Sequence, residues 1–363
     1  MIRLARWAGA ALVGGILWLP LGPSLAPDPP PAPSSTSTVP TSLPTTTTTT
    51  TTLPGLTIGF GGDTSFTHGL AERDPLGEIA GLFASQDLTL VNLETVVAEE
   101  GVGTPSPKEY NFRSPPQSAA LLAQAGVDGV SLANNHTFDF GEAGLARTLE
   151  LLDGQGVART GAGRDAAEAY APILFEAAGR TVAVLGFSRV LPDFAWAAGP
   201  SRAGVASAYD GTLELTVQAV AEAAGRADLV VVMVHWGVEK EPCPRPYQRA
   251  LAERWEAAGA DAVVGSHPHV LQGIERIGDA WVVYSTGNLA FPSARGPSAR
   301  AAVVELLVDG EVELRVRPVT IVQGRPAPAA GTEAAGILSF LSEHGGEVGP
   351  DGRVISEEGG RCR

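Results

Sequence analysis

The sequence is poor in positive charge. Among 363 residues, 25 Lys and Arg stand against 40 Asp and Glu, a formal net charge of −15. Because the global field of such a chain repels polyanions, we do not expect nucleic acid as a partner. Charged residues of both signs make up only 18% of the chain and hydrophobic residues 44%, which excludes a wholly disordered protein.

Cysteine is also scarce, with only Cys243 and Cys362. The absence of a Cys near the end of the apolar N-terminal run argues against a lipoprotein. In an exported protein an even pair can close a disulfide, here between the C-terminus and a mid-chain loop. A thiol nucleophile is the weaker alternative, because Cys243 lies between two prolines and no helix N-terminus is evident there to activate it.

Residues 1–26 predict an export segment. A positively charged start precedes an uncharged apolar run, and small residues at 24–26 have the spacing that a signal peptidase reads. The run is just long enough to cross a bilayer, so the segment is either a cleaved signal peptide or a membrane anchor. We therefore expect an extracytoplasmic protein, secreted or anchored to the membrane by this segment.

Residues 27–54 are almost entirely Pro, Ser and Thr, with eight consecutive threonines at 45–52. Such a composition cannot bury enough apolar area to offset its ordering entropy, and it predicts a disordered stalk. Beyond the stalk we expect one large folded domain at 55–325 and a C-terminal extension at 326–363.

The folded region alternates short aliphatic runs with alanine-rich helical patterns. The predicted strands are 56–60, 88–92, 129–132, 181–187, 229–234, 262–265 and 281–285, and the predicted helices are 117–125, 141–152, 213–226 and 247–258. This alternation indicates an α/β fold with strands buried on both faces. Runs at 301–308 and 312–322 around Asp309-Gly310 predict a β-hairpin, and 332–343 a closing helix.

Metal-competent side chains follow most of these strands. They are Asp63, Asn92, Glu94, Asn134, Asn135, His136, His235, His267 and His269. In open α/β sheets, ligands bind outside the carboxyl ends of the strands, so we expect these side chains to converge. Carboxylates combined with imidazoles suit Mn, Zn or Fe, whereas Ca and Mg sites rarely need histidine.

The His267-Pro268-His269 segment predicts a particular geometry. Proline biases the preceding residue toward extended backbone, and residues two apart in an extended segment point to the same side. Both imidazole rings are then expected to face one cleft.

The same residues carry a resemblance to a known family. The matching strings are Gly61-Gly62-Asp63, Asn92-Leu93-Glu94, 131–136 with Asp139 and Gly141, His235-Trp236-Gly237 with Glu239, 265–272 and 284–288. They resemble the CapA family of poly-γ-glutamate capsule synthesis proteins, whose fold belongs to the calcineurin-like metallophosphoesterase superfamily. For 55–325 the resemblance implies a metallophosphatase-like, four-layer α-β-β-α sandwich with a dinuclear divalent metal centre.

The resemblance also implies individual roles. Asp63 and His269 would bind the first metal, Glu94 would bridge, and Asn135, His235 and His267 would bind the second. His136 would act near the leaving group, with Asp139 orienting its ring. In phosphatases of the superfamily a His ligand follows the first carboxylate by two residues; that place is Ser65 here, which leaves the first metal one ligand short.

Two bound metals would generate hydroxide and polarise the electrophile. The resemblance implies a metal-dependent hydrolase or transferase in poly-γ-glutamate, capsule or cell-envelope polymer biogenesis, acting on an anionic polymer within a membrane capsule-synthesis complex. Two alternatives stay open: an exported metal-dependent phosphoesterase acting on a small ester, and a non-catalytic polymer-binding or scaffold subunit.

An anionic substrate needs a local cationic rim, since residues after 26 hold 23 basic against 40 acidic side chains, a net charge of −17. The residues expected to bind substrate are Asn92, Asn134, Arg113, Lys108 and Glu239, with Arg189, Arg245 and Arg249 as further cationic candidates in adjoining loops.

Overall fold

The computed structural model describes residues 53–355 together with Cys362. The predictions for the export segment 1–26 and for nearly all of the stalk, 27–52, fall outside the described residues. Within the part of the chain that is described, no helix combines the length and the apolarity needed to cross a membrane.

Strands dominate the described chain. They are β1 (Leu56–Thr64), β2 (Leu88–Leu93), β3 (Val96–Val97), β4 (Arg113–Ser114), β5 (Gly129–Ser131), β6 (Ala158–Thr160), β7 (Ala162–Gly163), β8 (Ile173–Ala177), β9 (Arg180–Ser188), β10 (Gly204–Val205), β11 (Leu229–His235), β12 (Ala262–Ser266), β13 (Ile274–Ile277), β14 (Ala280–Val283), β15 (Arg300–Asp309), β16 (Glu311–Val322) and β17 (Arg325–Pro328). The α-helices are α1 (Ala80–Phe83), α2 (Gln117–Gln124), α3 (Gly141–Gly154), α4 (Ala166–Ala169), α5 (Leu213–Ala224), α6 (Pro246–Ala258) and α7 (Gly331–His344).

The strands form two large sheets. One has the order β17-β16-β15-β1-β2-β5-β6 and the other the order β13-β14-β12-β11-β9-β8. The centre of each is parallel, with β1, β2, β5 and β6 in the first sheet and β9, β11, β12 and β14 in the second, while the hairpin strands at the edges are antiparallel. The parallel strands of each sheet therefore present their carboxyl ends at one edge.

The two sheets pack face to face through alternate aliphatic side chains. Phe60 and Leu90 of the first sheet share a buried cluster with Val184 and Val231 of the second. Helices α1, α2 and α3 cover the outer face of the first sheet, and α5 and α6 cover that of the second. These layers confirm the predicted four-layer α-β-β-α sandwich, because each sheet buries one face against the other sheet and one against helices.

All of the predicted strands and helices are present, and the predicted hairpin is β15 and β16. The short strands, such as β3, β4, β7 and β10, were not predicted, because two residues show no detectable alternation of apolar and polar side chains. It also ended β1 four residues too early: a register irregularity between Gly61 and Asp63 lets the strand continue to Thr64. Helix α7 packs Ile337, Leu338 and Leu341 into the core between the sheets.

The expected disulfide between Cys243 and Cys362 is present, with the two Cα atoms 5.2 Å apart.

Candidate metal centre

The predicted metal ligands converge where the carboxyl ends of strands from both sheets meet. Asp63 lies in the last part of β1, and Glu94 directly follows β2 in the first sheet. From the second sheet, His235 ends β11, while His267 and His269 follow β12. The carboxylates are fully buried, and at least 90% of the surface of His235 and His267 is also buried.

Glu94 lies at the centre of this cluster. Its Oε1 is 3.6 Å from Nε2 of His235, 3.8 Å from Nε2 of His269 and 3.9 Å from Nε2 of His136. These separations are too long for hydrogen bonds. Neither carboxylate oxygen of Glu94 accepts a hydrogen bond from any described residue, and Nδ1 of His267 is equally without a partner there.

This geometry fits a metal ion. Two ligand atoms that each lie roughly 2.0–2.2 Å from a Zn-type ion are themselves roughly 3 to 4 Å apart. The described residues contain two groups whose ligand atoms lie within 4.8 Å of one another, Asp63 with Glu94 and His235, and Glu94 with His267 and His269. Glu94 belongs to both, as a bridging ligand would. His267 groups with His269, whereas the resemblance pairs it with His235.

The electrostatics of the cluster favour ligands ready to bind a cation. Burial lowers the pKa of His267 to about 3, and burial, helped by the positive charge of His269, holds the pKa of His235 well below its ordinary value. Both rings are therefore neutral, the form that coordinates metals. Burial and the neighbouring charge of Asp63 raise the pKa of Glu94 well above its ordinary value, a shift that a bound cation would oppose.

His269 and Asp63 form the one tight ion pair of the cluster, with Nδ1 3.1 Å from Oδ2. Burial by itself would lower the pKa of His269, but the carboxylates of Glu94 and Asp63 outweigh it and raise the pKa to about 10. Asp63 also accepts hydrogen bonds from Nδ2 of Asn92, at 2.8 Å, and from the backbone N–H of His267. With no metal, a protonated imidazole supplies the positive charge that these carboxylates require.

The prediction that 267–269 is extended was wrong. His267 has φ +96° and His269 φ +55°, both in the left-handed region that non-glycine residues avoid. The turn lets the N–H of His267 reach the carboxylate of Asp63, and it still brings the two rings to 6.0 Å between centroids. Backbone strain of this kind persists where the surrounding contacts enforce it, most often at functional sites.

The ring of His136 is held by Asp139 and Phe112, which are themselves joined by a hydrogen bond. Its Nδ1 lies 2.7 Å from Oδ2 of Asp139, and its ring stacks on Phe112 at 3.9 Å between centroids. The backbone N–H of Phe112 donates to the same Asp139 oxygen, at 2.6 Å. Because Asp139 accepts from Nδ1, the free Nε2 faces Glu94, as the orienting role implied for Asp139 requires.

Three residues expected to bind substrate contact the side chains of the cluster and its surroundings. Nζ of Lys108 pairs with Oδ1 of Asp139 at 2.5 Å, donates to the carbonyl of Asn135 at 2.6 Å, and lies 3.1 Å from Nδ1 of His136. Asn134 donates to Oδ1 of Asn92 at 3.1 Å, and Asn92 donates to Asp63. These contacts place all three residues beside the predicted ligands, and substrate binding by them stays a prediction.

The remaining predicted residues have separate surroundings. Oδ1 of Asn135 lies 2.7 Å from Nε2 of His235, within the cluster. Arg113 pairs with Glu100 and lies over the ring of Phe140, so the structure does not bring it to the cluster. Glu239 is exposed, and its charge adds to the larger effects of burial and Asp63 on the pKa of Glu94.

Ser65, at the position of the missing histidine ligand, is buried with its hydroxyl 3.4 Å from that of Thr67. His68 is exposed and does not replace it.

Two further contacts support the site. Oδ1 of Asn288 lies 2.9 Å from Nδ1 of His269, and a Cβ at Gly62 would meet the carbonyl oxygen of Gly287 at 1.9 Å. Gly62 thus allows the 287–288 turn to approach Asp63. This close approach explains why the strings 61–63 and 284–288 both contain glycine. Phe112 had no signal, because a stacking aromatic in a loop follows no pattern.

Comparison with known proteins identifies the family. Residues 57–293 match the family described as bacterial capsule synthesis protein PGA_cap. The PGA biosynthesis protein CapA of Bacillus subtilis is 32% identical over 68% of this chain and 65% of its own length, and the capsule biosynthesis protein CapA of Bacillus anthracis is 32% identical over 61% and 54%. The matches thus span slightly less than two thirds, and about half, of these relatives.

A novel phosphatase from Mycoplasma pneumoniae, known from its crystal structure, is 13% identical, with a TM-score of 0.48 over 74% of this chain and 94% of that one. The fold therefore rests on the layers and strand orders above. The family match covers most of the chain, and it includes every residue of the buried cluster. This chain belongs to the bacterial capsule synthesis protein family, the family of CapA.

Proposed function

We propose that this chain is an extracytoplasmic, metal-dependent hydrolase or transferase that acts on an anionic polymer in capsule or cell-envelope biogenesis. Family membership supports the pathway, and the names of the two Bacillus relatives favour poly-γ-glutamate as the polymer. The N-terminal pattern of 1–26 supports export, and the exported protein would be either secreted or anchored to the membrane. Its proposed partner is a membrane capsule-synthesis complex.

One observation carries the catalytic part of this proposal: the buried carboxylate of Glu94 has no hydrogen-bond donor among the described residues. Burying a carboxylate without a hydrogen-bond partner destabilises the folded state by about 2 kcal/mol or more. Another interaction must therefore compensate for it. Three imidazole nitrogens at 3.6–3.9 Å around Oε1 leave room for a cation to do so.

Asp63, Glu94, Asn135, His235, His267 and His269 would hold two divalent ions, of Mn, Zn or Fe. When bound, such ions activate water and polarise the carbonyl or phosphoryl group under attack. Besides the ligands, the chain supplies His136 for proton transfer, because its Nε2 lies 3.9 Å from Oε1 of Glu94. With Nδ1 fixed by Asp139, Nε2 is placed to accept a proton from the attacking water and to pass it to the leaving group, an amine when a γ-glutamyl bond is cleaved.

Metal analysis of the purified full-length chain tests this proposal. After incubation with Mn²⁺, Zn²⁺ or Fe²⁺ and removal of free ions, we expect about two ions per chain for the wild type. We expect fewer for Asp63→Ala and for His267→Ala. Arg254→Gln, which changes an exposed ion pair with Glu214 on the outer helices, is the matched control.

Activity then separates the alternatives. We expect metal-dependent cleavage or transfer of a γ-linked glutamate oligomer that is lost in both site variants. Turnover of a phosphodiester alone would favour the phosphoesterase. Absence of stoichiometric metal would overturn both enzymes and leave the scaffold, and polymer cleavage that survives in both variants would refute the proposed site.

A further inference from the structure

An arginine follows one of the strands that border the metal centre, and its backbone contacts one of the predicted ligands. Arg189 is the first residue after β9, whose last residue pairs with His235 of β11. The backbone N–H of Arg189 donates to the carbonyl oxygen of His235 at 2.8 Å. The residue therefore emerges at the sheet edge at which the ligands converge, next to one of them.

The guanidinium of Arg189 is held in a fixed position. It stacks on the ring of Tyr209 at 4.3 Å, lies 5.8 Å from the ring of Tyr247, and donates to the carbonyl of Ala208 at 3.1 Å. Tyr247 is itself anchored, since its hydroxyl accepts from the backbone N–H of Gly237 at 2.8 Å, two residues beyond His235. A guanidinium stacked in this way is preorganised for a planar carboxylate.

The acid that now pairs with Arg189 is a weak competitor. Nη2 of Arg189 lies 2.8 Å from Oδ1 of Asp210, but the side chain of Asp210 is 91% exposed, against 18% for Arg189. An ion pair with so exposed a partner contributes little to stability, so a carboxylate from a ligand can replace it. Phe194, 66% exposed and packed edge-on against Tyr209, adds an apolar surface beside the guanidinium.

We infer that Arg189, stacked on Tyr209 and adjoining His235 through its backbone, binds a free carboxylate of the polymer substrate, and that Asp210 occupies this subsite when the polymer is absent. The inference rests on the proposed function and gives the substrate class a binding residue. A polymer with one carboxylate per unit presents a charge at regular intervals from the bond that reacts. The net negative charge of the chain makes such a local cation necessary for its capture.

The test is binding of a fluorescently labelled γ-linked glutamate oligomer to the Mn²⁺-loaded full chain, at fixed ionic strength. Arg189→Gln should weaken binding about tenfold or more, because it removes a charge-assisted, bidentate contact. Arg189→Lys keeps the positive charge but not the planar guanidinium, so its affinity for the oligomer should lie between those of the wild type and Arg189→Gln. Asp210→Asn should tighten binding about threefold by removing the competitor, and the double variant should match Arg189→Gln.

Two controls make the result specific. Arg254→Gln, a loss of one exposed arginine far along the outer helices, should bind as the wild type does. A γ-linked isoglutamine oligomer, in which each free α-carboxylate is replaced by an amide, should not distinguish Arg189→Gln from the wild type.

Equal affinity of Arg189→Gln and the wild type for the glutamate oligomer, or weaker binding by Asp210→Asn, would overturn the subsite while leaving the proposed function intact. A wild type that takes up metal but does not bind the oligomer would overturn the polymer as substrate, and the subsite with it.

Discussion

Two buried glutamates associated with the same seven-stranded sheet have opposite surroundings. Glu305, on β15, is 2% exposed, accepts a hydrogen bond from Gln86 at 3.3 Å, and has Nη1 of both Arg315 and Arg317 at 3.7 Å. Glu94, after β2, is fully buried and accepts no hydrogen bond from any described residue.

The difference shows which carboxylate serves the fold. Glu305 and Arg315 are direct partners across β15 and β16, so strand register alone supplies the compensating charge. Glu94 instead has three imidazole nitrogens at 3.6–3.9 Å, of which that of His269 carries a positive charge, and no described residue donates a hydrogen bond to it. The missing hydrogen-bond donor therefore distinguishes Glu94 from Glu305, and under the proposed function a metal ion would compensate for it.

The largest effect that separates the two is on metal binding and turnover. Glu94→Gln removes the charge shared by both ligand groups, so we expect loss of at least one metal ion and a decrease of about 10³-fold in kcat. Glu305→Gln should retain both the metal and kcat. Metal content and steady-state kinetics on the glutamate oligomer measure both. Equal metal content in the two variants would mean that the isolation of Glu94 has no connection with metal.

A smaller effect on turnover is expected from substitution of Lys108, the cation that pairs with Asp139. Lys108→Met removes the ammonium that holds the carbonyl of Asn135 and the carboxylate of Asp139, so His136 loses its fixed orientation. We expect kcat to fall about 10- to 100-fold with little change in KM or metal content, as for other residues that orient ligands. Lys108→Arg should restore part of the rate.

Arg315→Met is the matched control, because it removes a cation from the other glutamate. It should leave kcat unchanged. A rise in KM with unchanged kcat in Lys108→Met would instead assign Lys108 to substrate binding, as the sequence suggested.

Much of the fold and of this site could be predicted from sequence, for reasons specific to each residue. The strands carry aliphatic runs, and their carboxyl ends place Asp63, Glu94, His235 and His267 in one region whatever the loop geometry. What each polar side chain touches could not be read in the same way. Lys108 precedes His136 by 28 residues, and only the folded loop brings its Nζ to 3.1 Å from Nδ1 of that ring.

The backbone of the His-Pro-His segment was misjudged for a related reason. Local preference favours extended backbone before proline, but the hydrogen bond from His267 to Asp63, 204 residues away, requires the left-handed turn. Arg189 shows the same limit: its position near His235 follows from strand order, whereas its stacking on Tyr209 depends on a loop that no periodicity describes.

The stability of the metal-free protein gives a smaller contrast of opposite sign. Glu94→Gln replaces a buried unpaired acid by a neutral isostere, so we expect the free energy of unfolding to rise by about 1–3 kcal/mol. Glu305→Gln leaves two arginines facing a neutral group and should lower it by about 1–3 kcal/mol. Denaturant unfolding after chelation measures both, and a fall for Glu94→Gln would show that Glu94 stabilises the fold without metal.

The smallest expected effect is the pH dependence of the stability gained by Glu94→Gln. Because burial raises the pKa of Glu94 above its ordinary value of 4.5, the metal-free wild type loses stability as pH rises above 4.5, where the unfolded chain ionises first. Below that pH both states carry a neutral glutamic acid, and Glu94→Gln should unfold with the wild type. Toward neutral pH the variant should become progressively the more stable, until the folded-state pKa is passed. The stability gained by Glu94→Gln could instead be the same at pH 4 and pH 7. In that case the charge of Glu94 would not cause the destabilisation, and the contrast between the two glutamates would be one of packing.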